Sequence, residues 1–308
     1  MAKRVVILLF EEILDYCALP EILALSLTSK YLRERGKEYL RKAFTNLLGC
    51  WVDDPSEMSK LMIQTGSVLS GSNVLSFISR ASHWTAQDMD LYVPTGQPAT
   101  TMLSFLMREQ YKRTTSAPPP NGAYLTIGHN IRHIHKLSKT VLGEDGVTSG
   151  TRSIDVVECF SQRSVLPIFC FHSTLVMNWI SPTEIVVLYP SLTFNKIGLN
   201  HHLCKGTSAS MLKKRLWKNK YTSRGYCSAE SMAELERPCG TACPSLIRST
   251  RDIGTLYVSL EEGKAAHSPP KVEWALLVGD IKGAAAVVPC GNPRCPRAAN
   301  FCKLETRQ

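Results

Sequence analysis

Two stretches carry residues whose types and spacing could do chemistry together: Val68-Leu69-Ser70-Gly71-Ser72 and Asp88-Met89-Asp90-Leu91-Tyr92-Val93. Both apolar runs predict strands, with a helix over Asn73 to Ser79 between them. Residues i and i+2 of a strand share a face, so Asp88 and Asp90 set two carboxylates side by side. At a separation of about 4 Å and an effective dielectric of about 20 their repulsion is on the order of 4 kcal/mol, which a metal ion or a shared proton relieves. Paired carboxylate oxygens suit a hard cation such as Mg²⁺, which keeps waters and bridges to substrate phosphates. Gly71 permits close backbone approach, and Ser72 offers a hydroxyl and a backbone N–H to a phosphate oxygen. A turn glycine beside a surface acid pair is the alternative reading of the same residues.

A third acid sits in Ser153-Ile154-Asp155-Val156-Val157. A lone carboxylate inside an apolar strand needs a partner. The order apolar-Gly-Ser, then Asp-x-Asp on a strand, then one acid on a later strand resembles the nucleotidyltransferase-fold superfamily. That resemblance implies an α+β fold with a mixed sheet and transfer of a nucleotidyl group from a nucleoside triphosphate. It also implies Mg²⁺ held by Asp88, Asp90 and Asp155, with Asp155 as ligand or as base for the attacking hydroxyl. Gly71 and Ser72 would then lie at the β and γ phosphates. The acceptor is left open among RNA, protein and a small metabolite.

From His201 to Arg224 the chain turns basic, with Lys213-Lys214-Arg215, Lys218, Lys220 and Arg224 and no acid among them, and with Trp217 and Tyr221 interleaved. A helix from Ser208 sets Lys214, Lys218 and Tyr221 on one face. That pattern suits a polyphosphate or a nucleic-acid single strand, by charge and stacking; a solvated basic helix is the alternative. On the nucleotidyltransferase resemblance, Lys214 and Lys218 neutralise the triphosphate. The whole chain agrees in sign: 36 basic against 26 acidic residues give a net charge of +10 over 308 residues, which favours anionic partners.

The elements that must position these residues begin with an all-helical unit. Glu12 to Cys17 and Leu19 to Arg33 are two amphipathic segments broken near Pro20. Leu23-Ala-Leu-Ser-Leu-Thr-Ser-Lys-Tyr-Leu-Arg33 resembles the helix of an F-box, and the resemblance implies docking onto the linker subunit of a cullin-type ubiquitin ligase. A helical cap packed on the next domain is the alternative. Together the two resemblances are similar to a group of fungal proteins that join an F-box-like segment to such a core. The organisation expected is an F-box-like segment over 1–48, a nucleotidyltransferase-like α/β domain over 49–226 and a Cys-rich extension over 227–308. A non-catalytic F-box-type adaptor is the competing function.

Asp54 caps a helix opening at Pro55 and stopped by Gly66, with Met58, Leu61 and Met62 inward. A helix over Ala99 to Tyr111 buries Met102, Leu103, Phe105 and Leu106. Thr114 to Gly122, with its proline run, reads as a flexible excursion. His129 to Lys139 reads as a basic strand or rim facing phosphates; no nearby acid or cysteine completes a ligand set for its histidines. Leu166 to Ile180 is almost continuously apolar and predicts a buried helix, with His172 as a satisfied core group. Glu184 to Leu188 and Trp274 to Val278 predict strands, the second packing the tail onto the main sheet.

The tail holds Cys239-Gly-Thr-Ala-Cys243 and Cys290-Gly-Asn-Pro-Arg-Cys295. Two close thiolate pairs suit a tetrahedral structural Zn²⁺, and buried thiols are the alternative; Cys227 and Cys302 are near enough in sequence to substitute. With 11 cysteines, no secretory leader expected after Val5 to Phe10, and no apolar run of the roughly 20 residues that span a bilayer, the expectation is an intracellular protein of cytoplasm or nucleus with reduced thiols.

Overall fold

The computed structural model describes residues 10–80, 83–118, 130–142, 149–200, 216–236, 238–261, 270–276, 279–280, 290 and 292–295. Its centre is an eight-stranded mixed sheet behind an N-terminal helical region, an α+β arrangement. The strands in chain order are β1 (Val68–Ser70), β2 (Asp88–Pro94), β3 (Lys112–Ala117), β4 (Ile131–Leu142), β5 (Ser149–Cys159), β6 (Asn178–Ile180) and β7 (Glu184–Val187). They continue with β8 (Ile197–Leu199), β9 (Cys227–Ala229), β10 (Arg248–Ser249), β11 (Leu256–Ser259), β12 (Glu273–Ala275) and β13 (Gly279–Asp280). The main sheet runs β11-β7-β6-β1-β2-β5-β4-β3, with β8-β9 and β10-β12-β13 as small separate sheets. Within the main sheet β2 and β5 are parallel and every other neighbouring pair is antiparallel.

Strand alternation divides the core in two. Leu69, Met89, Leu91, Val93, Ile154 and Val156 face one side, where the helices Leu19–Thr28, Lys30–Gly49, Pro55–Thr65 and Gln97–Arg108 cover them. Val68, Tyr92, Val157 and Trp179 face the other, against Phe169, Phe171, Tyr221 and the cysteine-bearing tail. The parallel β2–β5 pair requires a crossover, and Gln97–Arg108 supplies it with Met102, Phe105 and Leu106 buried. The N-terminal helices share this core, and Arg41 Nη1 donates to the Leu260 carbonyl at 2.9 Å.

Local chemistry accounts for the boundaries. Asp54 Oδ1 accepts from the Glu57 N–H at 2.8 Å, Pro55 opens the helix, and Gly66 closes it at φ 66°. The Leu23-to-Arg33 segment is not one helix: Ser29 is extended at φ −157°, and its Oγ accepts from Leu32 N to start a new helix at Lys30. A serine that can cap competes with continuing the helix, which the apolar periodicity hides.

Leu166 to Ile180 also departs from the helix expected. It forms two 3₁₀ turns, Leu166–Cys170 and Thr174–Val176, and then β6. Ser173 caps the second turn, and Asn178 Nδ2 donates to the Leu175 carbonyl at 2.7 Å, so local side-chain bonds displace helical ones. The Thr114 excursion is partly strand, since β3 pairs with β4 in place of looping out; Pro119 to Gly122 lie outside the described residues, as do His129 and the turn at Glu144. Trp274 belongs to the small β10-β12-β13 sheet, and it reaches the core through Phe169 and Tyr189 and not as a main-sheet strand. Among the described residues no helix is long and apolar enough to cross a membrane.

Candidate functional site

Three central strands set the acids in line. Ser70 pairs with Asp90 across β1–β2, and Asp90 pairs with Asp155 across β2–β5. Asp88, two residues before Asp90, shares its face with Tyr92. At Gly71 the chain leaves β1 with φ 71°, and a Cβ there would overlap Asp90 Oδ2 and lie 3.0 Å from its Cγ. Glycine is therefore required twice, by backbone sign and by the carboxylate it admits. The helix Gly71–Ser79 starts at that point, and Asn73 Nδ2 donates to the Asp88 carbonyl, tying the helix to the acid strand. Ser70 Oγ donates to the Asn178 carbonyl at 2.6 Å, which anchors the β1 end to β6. Ser72 is buried, and its Oγ has no hydrogen-bond partner among the described residues.

Burial pushes the Asp90 carboxyl up to about 8, and repulsion from Asp88 and then Asp155 adds to it, against the opposing charges of Lys220 and Lys136. Lys136, opposite Asp155 in the β4–β5 register, places Nζ 2.7 Å from Asp155 Oδ2. That hydrogen bond is the main reason the Lys136 ammonium is held above its ordinary range. Asp155 thus has a protein cation as partner. The alternation in His133-Ile-His-Lys136 was the only sequence signal that could have put Lys136 on the acid face.

Lys218 is exposed, whereas Lys220, on the helix at 216–222, is the one described residue of that run among the charges that act on Asp90. Lys214 lies outside the described residues. Tyr221 on the same helix is buried, and its phenol is held above its usual range by burial and then by Asp90. Trp217 stacks on His172, ring centroids 3.9 Å apart and planes at 21°. His172 is therefore part of an aromatic wall on the acid side of the sheet.

The opposite sheet face carries a second polar cluster. His133 and His135 meet Glu158 of β5, with His135 Nε2 at 3.2 Å and His133 Nδ1 at 3.6 Å from Glu158 Oε2. Glu158 thus partners this histidine pair across β4–β5, a contact that sequence distance concealed, while the group is not among the sets of described residues that could hold a metal. Thr95 Oγ1 donates to Glu158 at 2.7 Å and Arg132 lies 3.5 Å away. Burial alone would raise the Glu158 carboxyl, but the bonds from Thr95 and His135 outweigh it and hold it low. Burial holds the His135 imidazole below its ordinary value. A groove of about 420 Å³ opens here between Gln97–Arg108 and the β3–β4 hairpin.

The tail forms a candidate metal centre. Cys239, Cys243, Cys290 and Cys295 are all buried, with their four Sγ atoms within 4.8 Å of one another. Cys239 and Cys290 are 3.4 Å apart at sulfur, and Cys243 and Cys295 are 3.7 Å apart. Asn292 Nδ2 donates to Cys239 Sγ at 3.2 Å. Burial pushes the Cys243 and Cys290 thiols up to about 11, so a bound cation must supply the field that makes thiolates. The four cysteines are positioned to bind a metal. They are the only such set among the described residues. Cys227 is exposed on β9 and Cys302 lies outside the described residues.

Arg248, unmarked in the sequence, braces this tail. It is 1% exposed and holds Asp252 through Nε at 2.6 Å and Nη2 at 2.8 Å. Its Nη1 donates to the Thr241 carbonyl, inside the first cysteine turn, and its guanidinium lies between Tyr189 and Trp274.

Neither a scan against protein-family models nor a search of curated proteins gives a match.

Proposed function

We propose that the chain is a nucleotidyltransferase-like protein that binds a nucleoside triphosphate with Mg²⁺ at Asp88, Asp90 and Asp155, and carries a structural Zn²⁺ on its four tail cysteines. The observation that carries the first part is the in-register row Ser70, Asp90, Asp155, with Gly71 forced to lack a Cβ beside Asp90. What supports a hard cation is charge: the strand register puts three carboxylates on one face, and burial with the other two acids raises the Asp90 carboxyl to about 8. When bound, Mg²⁺ would screen the charge of the triphosphate. The chain's own residues do the rest. Ser72, whose hydroxyl lacks a partner, offers a donor to a phosphate oxygen. Lys220 and Lys136 add positive charge, and Trp217 with His172 offers a flat surface for a base. Asp155, paired with Lys136, orients an attacking hydroxyl of an acceptor, nucleic acid among the possibilities. The test is calorimetric titration with each nucleoside triphosphate in Mg²⁺, beside an Asp88→Asn/Asp90→Asn variant that unfolds cooperatively and melts no lower than wild type. Saturable binding lost in the variant supports the reading, and absence of binding to wild type at millimolar nucleotide removes it.

A second reading, an F-box-type adaptor, draws on the N-terminal helices, where Ile13, Tyr16, Leu27 and Tyr31 are exposed, Tyr16 at 91% and Leu27 at 76%. Pull-down of a cullin-ligase linker subunit by the full chain, abolished by Leu27→Asp, supports it; no capture removes it.

A further inference from the structure

Among the described residues two arginines are buried against aromatic rings, and only one of them has an anion there. Arg248 lies between Tyr189 and Trp274 and is neutralised by Asp252. Arg224 has the aromatic half of that arrangement: its guanidinium carbon is 4.1 Å from the Trp84 ring centroid and 5.8 Å from that of Tyr221. It is 9% exposed, yet it forms no ion pair among the described residues, and its Nη1 is buried without a hydrogen-bond partner. The indole Nε1 of Trp84 is likewise buried and has no partner among the described residues. Backbone contacts fix the position: the Arg224 N–H donates to the Tyr221 carbonyl at 3.1 Å, and His83 Nε2 meets the Arg224 carbonyl at 3.0 Å.

A buried guanidinium without counter-charge is strongly disfavoured, and ring contacts offset only part of that cost. Two unpartnered donors, one charged, together call for an oxyanion. Tyr221, its ring centroid 5.8 Å from the Arg224 guanidinium carbon, shares one core cluster with Tyr92 of the acid-bearing face, and Trp84 packs against that cluster, so the pair lies on the acid side of the sheet. A tetrahedral phosphate has enough oxygens to serve both donors and to leave others for the cation that the row calls for.

We propose that Arg224 Nη1 and Trp84 Nε1 form a phosphate subsite next to the acid row. The subsite stands on the two orphaned donors, and rests on the nucleotidyl reading only for the identity of the molecule that brings the phosphate. Inorganic phosphate in magnesium-free buffer is the probe. It raises the melting temperature of the wild-type chain and of Asp88→Asn/Asp90→Asn, and leaves Arg224→Met and Trp84→Phe unmoved. Loss of the guanidinium weakens phosphate binding about tenfold or more, and Arg224→Lys restores part of it. Without phosphate, Arg224→Met melts at or above wild type, because it deletes an unpaired buried charge, so lost binding is not lost fold. An equal phosphate response in wild type and Arg224→Met overturns the proposal, as does an Arg224→Met variant that melts far below wild type without phosphate. Competition with Mg²⁺-nucleoside triphosphate separates the sources: displacement assigns the subsite to the nucleotide's tail, and joint binding to a phosphate on the acceptor. A chain that takes phosphate at Arg224 but no nucleotide refutes the nucleotidyl reading and leaves the subsite intact.

Discussion

Asp90→Asn should stabilise the metal-free protein at neutral pH and leave it unchanged in acid. In the folded chain burial, Asp88 and Asp155 lift the Asp90 carboxyl from 3.8 to about 8. A carboxyl raised on folding binds its proton more tightly in the native state than in the unfolded one. Its contribution is therefore fully present below the unfolded value and is lost as pH rises towards the folded one. Each pH unit in that window removes about 1.4 kcal/mol, so between pH 4 and 7 the ceiling is about 4 kcal/mol. Water entry and small shifts of Asp88 reduce this to roughly 2 kcal/mol. Asparagine keeps the shape and is neutral throughout. Urea unfolding of both proteins at pH 5 and pH 8, without magnesium, measures the difference. The variant should gain on wild type by roughly 2 kcal/mol between those pH values, and saturating Mg²⁺ at pH 8 should close the gap by stabilising wild type alone. A variant that loses stability at pH 8, or keeps a constant offset across pH, refutes the picture of three crowded acids.

Gly71→Ala meets both a left-handed backbone and the Asp90 carboxylate, whereas Gly240→Ala, at φ 53°, has nothing within 4 Å of the new Cβ. Denaturant unfolding should show about 1 kcal/mol lost at Gly240 and at least about 3 kcal/mol at Gly71. Arg248→Met removes the cation from half-buried Asp252 and the donor from the Thr241 carbonyl, while Ser249 and Gly254 still donate to Asp252, so it should cost about 2–3 kcal/mol by the same assay. Stripping metal with a chelator should lower the melting temperature, and Co²⁺ should restore it with thiolate charge-transfer absorbance. That absorbance should disappear in Cys243→Ser and persist in Asp88→Asn/Asp90→Asn.

Sequence by itself determined what depends on neighbours in the chain. Asp54, Pro55 and Gly66 set one helix by capping chemistry. Strand period put Asp88 and Asp90 on one face, and the paired cysteines marked the tail cluster. It failed where long-range contacts outweigh periodicity: Leu166 to Ile180 is apolar enough for a helix, but β6 is drawn into the sheet beside β1. Ser29 broke a helix whose apolar pattern ran straight through it.

Only the tertiary structure decided which charges meet. Lys136 finds Asp155 across β4–β5, Glu158 finds His135, and Lys220 instead of Lys218 reaches Asp90. It also decided that, among the described residues, Arg248 has an anion and Arg224 has none. The reason is physical: a charge's cost is set by its burial and its neighbours in space, and neither is a property of the residue or of the spacing along the chain.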